Sequence, residues 1–96
     1  MAEKPEELGI YAMADQFIDV ANRLIGEGGQ DLSRVSAAIR FAAARFNAHE
    51  AAHQADDLAA DKDNAVGWFT YQYQKMFVEN IDEQIQRAEK LGKPDA

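Results

Sequence analysis

Apolar residues recur along most of this chain at intervals of three and four, the spacing that keeps them on one side of an α-helix. Ile10, Ala14, Phe17, Ala21 and Leu24 make the first such stripe, widened by Met13, Ile18, Val20 and Ile25, with Asp15, Asp19, Asn22 and Arg23 on the other side. The pattern predicts a helix from near Pro5, with Glu6 and Glu7 in a first turn whose dipole favours negative charge. Gly26-Glu27-Gly28-Gly29 ends it, since glycine takes the left-handed cap. A second helix is expected from near Ser33, the serine capping free amides and Leu32 packing back as a staple. Val35, Ile39, Ala42 and Phe46 form its stripe, and its many alanines allow a neighbouring helix to come close.

Residues 54 to 64 are polar and acidic and read as a connector, with Asp61 or Asp63 capping the next helix. This third helix is predicted from about 64 to 91, about 28 residues and about 42 Å long. Val66, Phe69, Tyr73, Phe77, Ile81, Ile85, Ala88 and Leu91 hold its period without a break, Glu83 and Arg87 form an i,i+4 pair, and Gly92 and Pro94 end it. No segment alternates as a strand, and no hairpin dipeptide occurs. The expected fold is all-α with no β-sheet: a three-helix bundle, a helical hairpin plus a long third helix, in one domain over residues 1 to 96 with disordered tails at 1 to 4 and 93 to 96.

Composition narrows the function. The net charge of −7 and pI near 4.6 make nucleic acid and anionic membranes poor partners. The chain has no cysteine, which removes disulfides and thiolate chemistry. No apolar run approaches the length of a membrane span, and the expected location is the cytoplasm.

One short motif carries candidate chemistry. His49-Glu50-Ala51-Ala52-His53 spells H-E-x-x-H, which on a helix places two imidazoles one above the other. Zinc held by His49 and His53, with Glu50 as base, would make a hydrolase, but catalytic zinc takes a third protein ligand. With no other histidine in the chain, Glu79 is the best candidate, ahead of Asp56, Asp57, Asp61 or Glu83. The plainer reading is that the histidines continue the Val35 to Phe46 stripe as partly buried imidazoles, and no metal or cofactor is expected. Asp61-x-Asp63 begins like a calcium loop, but Ala65 and Val66 stand where that loop needs an oxygen ligand and glycine. Arg45 and Asn47 flank Phe46; a structural role is expected, Arg45 pairing with Asp15, Asp19 or Glu79.

Trp68, Phe69, Tyr71, Tyr73, Met76 and Phe77 crowd two and a half turns of the third helix. So much apolar circumference needs covering on more than one side. Trp68, Tyr71, Met76, Ile81 and Ile85 are therefore the expected interface of a self-associating chain, most simply a homodimer.

Three segments together resemble a family of short bacterial proteins known only as a domain of unknown function. They are Ala14-Asp15-x-Phe17-Ile18-x-x-Ala21-Asn22, then Val35-Ser36-Ala37-Ala38 with Ala42-Ala43-Ala44-Arg45-Phe46-Asn47-Ala48, then Asp61-Lys62-Asp63-x-Ala65 with Phe69-Thr70-x-Gln72-Tyr73-x-Lys75-Met76 and Glu79-Asn80-Ile81-Asp82. The resemblance spans roughly residues 12 to 86 and implies no activity, cofactor or substrate. In the family's pattern large apolar residues come after Arg-Phe-Asn-Ala, where this chain has His49 and Glu50, so H-E-A-A-H is a peculiarity of this member. The expected function is that of a small, non-enzymatic interaction or scaffold domain, with the zinc protein as the alternative.

Overall fold

The computed structural model describes residues 6 to 92. Pro5, Pro94 and the tails expected to be disordered, 1 to 4 and 93 to 96, lie outside the described residues. The chain is all-α: helices α1 (Ile10–Gly26), α2 (Leu32–Gln54) and α3 (Leu58–Lys90) succeed one another, and no strand occurs among the described residues. It divides into two units, Met1–Phe46 and Asn47–Ala96, and the division falls inside α2.

In the first unit, α1 starts later than its sequence suggests. Gly9 is the N-cap, with extended backbone (φ −65°, ψ 154°), and Glu6 and Glu7 precede the helix instead of charging its first turn. Glycine costs about 1 kcal/mol relative to alanine inside a helix, so the chain enters the helix after Gly9 rather than through it. The glycine stop behaves as expected. The Glu27 and Gly28 amides both donate to the Arg23 carbonyl, and the Gln30 amide donates to that of Leu24 at 2.9 Å. Gly29 takes φ +63°, and a Cβ on Gly28 would lie 2.7 Å from the Leu24 oxygen. Two adjacent glycines are thus required for different reasons, conformation and space.

The cap of α2 is Asp31, not Ser33. Its carboxylate accepts from the Arg34 amide and from the Ser33 hydroxyl. Those bonds hold the Asp31 carboxyl below the usual carboxylate range, the Ser33 hydroxyl contributing most. Leu32 is the first helical residue and is exposed, so the expected staple is not formed. Val35 is buried, with 6% of its surface accessible, and Ala21, Ile25 and Ile39 are partly buried. Farther from the turn the α1 stripe is bare: Phe17 is 68% exposed and Ile10 more so.

In the second unit, the polar connector shrinks to residues 55 to 57. Asp57 is the N-cap of α3, and its Oδ1 accepts from the Ala60 amide at 3.2 Å. Leu58, Ala59 and Ala60 are good helix formers, and Asp61, Lys62, Asp63 and Asn64 ride on exposed positions of the same helix, where polarity is no obstacle. The extra turns bring α3 to 33 residues, about 50 Å. Asn47, Glu50, Ala51 and Ala55 before the turn, and Ala65, Phe69 and Gln72 after it, are partly covered. At the far end the Leu91 amide donates to the Arg87 carbonyl, and Gly92 closes the helix at φ +68°.

Candidate interaction surface on the third helix

At about 100° per residue, Val66, Tyr73, Phe77, Ile81 and Ile85 share one side of α3. Trp68 and Tyr71 lie on another, and Met76 on the flank between Phe69 and Gln72. The rings of Tyr73 and Phe77 stack, with centroids 5.7 Å apart and planes 11° from parallel. The Lys75 ammonium lies 5.5 Å from the Tyr71 ring centre. Asn80 turns its Nδ2 back to the Met76 carbonyl at 2.8 Å, and Arg87 pairs with Glu83 at 3.0 Å as its spacing predicts. That pair is mostly in water, so it adds little stability.

No residue of α3 is buried. Trp68 is 58% exposed and Tyr71 56%, Met76 and Phe77 are similarly open, and Ile81 and Ile85 are exposed to a lesser degree, Ile85 at 39%. Single exposed apolar residues are ordinary, but a continuous apolar surface on several sides of one helix is the usual mark of a contact site. The five residues expected at an interface are each exposed. Tyr11 and Phe41 are exposed aromatics that the periodicity does not single out. Their only signal is an off-stripe position on an amphipathic helix.

The histidine motif falls on α2 in the second unit, where Glu50 accepts from the Gln54 side chain at 3.4 Å. Among the described residues, no group of three or more His, Cys, Asp or Glu comes together to hold a metal ion. Glu79, the expected third ligand beside His49 and His53, stands about 33 Å along α3 from its cap, while His53 is next to the turn. The hairpin register separates them. Asp61 and Asp63 are helical rather than in a loop, so the calcium pattern fails on conformation as well. Arg45 lies over the ring of Phe41, 4.8 Å from its centre, rather than against Asp15 or Asp19. Asn47 is partly buried at the start of the second unit. A shallow, open groove on α1 is lined by Asp19, Asn22, Arg23, Gly26 and Glu27, and it holds none of the expected site residues.

The described residues thus form an all-α protein of three helices in which no metal-ligand set is assembled. The chain belongs to the family described as Protein of unknown function (DUF3144), whose profile matches residues 10–85. The match opens on the first residue of α1 and reaches well into α3, so it takes in all three helices. No curated protein and no solved structure matches the chain. Among the described residues no helix is long and apolar enough to cross a membrane.

Proposed function

We propose that this chain is a small, non-enzymatic, cytoplasmic interaction or scaffold domain that self-associates through α3, most simply as a homodimer. The observation that carries this reading is the exposure of Trp68, Tyr71, Met76, Ile81 and Ile85 on a helix with no buried residue. Trp, Tyr and Met are the side chains enriched where subunits meet. The same surface runs on to Ile81 and Ile85 in the last third of the 33-residue α3, both exposed. The net charge of −7 favours a protein partner over a phosphate backbone or an anionic membrane.

Light scattering at micromolar concentration tests the proposal. A mass near twice 10.7 kDa, falling to the monomer value in a Trp68→Ala/Tyr71→Ala variant, is the expected result. A monomer at every concentration would sink it.

A further inference from the structure

His49 and His53 are both exposed, where the stripe they continue predicts partly buried imidazoles. They lie in the second unit on one unbroken helix, so their spacing owes nothing to how other elements pack. One helical turn apart, their Cβ atoms are about 5 to 6 Å from each other. Both stand about 120° or more around the axis from Asn47 and Ala51, two partly covered positions of α2 in this unit. The pair therefore opens to solvent on the side of α2 away from them.

Two imidazoles one turn apart can chelate a single ion. Imidazole nitrogen suits zinc, nickel and copper, whereas magnesium and calcium take oxygen. The local charge favours a cation as well. Glu50, Asp56 and Asp57 lie near the pair in sequence, against one base, Arg45. Arg45 stands one turn before His49, and its guanidinium is held back over the Phe41 ring, 4.8 Å from the ring centre. Catalysis asks for more. A catalytic zinc takes three protein ligands, and no three candidate groups come together among the described residues.

We infer that His49 and His53 form a surface site for one divalent transition cation of the zinc, nickel and copper class, with water in the remaining coordination positions. The site binds the ion and does no hydrolysis. It is separate from the apolar surface of α3 and stands whether or not the chain self-associates.

Calorimetric titration of the untagged full chain with zinc or nickel ions tests it, with magnesium as the control. Saturation in the micromolar range at no more than one ion per chain, with no response to magnesium, is the expected result. His49→Ala and His53→Ala should each weaken binding at least about tenfold, since loss of an outer-shell partner alone costs that much. Both positions are exposed and alanine is the better helix former, so the helix survives, with circular dichroism as the check. Ala48→His/His49→Ala keeps two histidines but sets them about 140° apart around the axis, and it should bind as weakly as the single variants. Absence of saturable binding overturns the inference. So does an equal response to magnesium, which would mean that the net charge of −7 attracts any cation, and so does wild-type affinity in the shifted pair. Should a variant lose helicity, the wild type decides: the ring signals of both histidines should move together in nuclear magnetic resonance spectra as zinc is added, and movement of one alone or neither overturns the inference.

Discussion

The turn between α1 and α2 depends on single residues with distinct duties. Gly29 sits at φ +63°, a conformation that costs an L side chain about 1 to 2 kcal/mol. Gly29→Ala is expected to lower stability by that order in urea unfolding followed by circular dichroism. Asp31 acts through its charge. Its folded-state pKa is depressed, by the Ser33 hydroxyl first and the Arg34 amide second. Its contribution is therefore fully present above the ordinary carboxylate pKa and is lost as pH falls through the depressed folded value. Asp31→Asn should flatten that part of the acid limb and lower stability near neutral pH, where the charged cap contributes in full; an identical acid limb would count against the cap. Asp31 and Ser33 are both good capping residues. Composition leaves the choice open; in the fold the Arg34 amide and the Ser33 hydroxyl both donate to Asp31.

At the scale of the element, the helices are legible in the sequence and their ends are not. The 3.6-residue period of Val66, Phe69, Tyr73 and Phe77 predicts α3 correctly, but it points to a start near residue 64 instead of Leu58. Polar residues at 61 to 64 read the same way in a connector and on the wet side of a helix. The Asp57 cap, in contrast, leaves a testable mark: Asp57→Ala should cost about 1 kcal/mol in thermal unfolding, with fraying confined to the first turn of α3 by hydrogen exchange. Gly67 gives the opposite expectation. Nothing lies within 4 Å of the Cβ it lacks, so Gly67→Ala should stabilise α3 by up to about 1 kcal/mol. A loss of stability would mean that another backbone approaches closely at that point, and cross-linking there would locate it.

For the whole molecule, the sequence discloses the helical class, the family and the aromatic crowding of the third helix. It does not disclose that α1 also exposes Ile10 and Phe17, because periodicity reports that a stripe exists and not what covers it. The histidine motif shows the same gap. His49 and His53 are spaced as metal ligands, but a third ligand is a matter of register between helices, and the register sets Glu79 far away. An associating chain should also melt at a temperature that rises with protein concentration. A midpoint constant over a hundredfold range of concentration, on the order of 1 to 100 μM, would contradict self-association.

The boundary between the two units lies in the middle of an uninterrupted α2, at Phe46 and Asn47. Neither unit therefore closes on a loop at this point: one ends, and the other begins, in open helix. Severing the chain here would leave helical stubs of residues 32 to 46 and 47 to 54, neither longer than the ~15 residues below which an isolated helix is marginal in water.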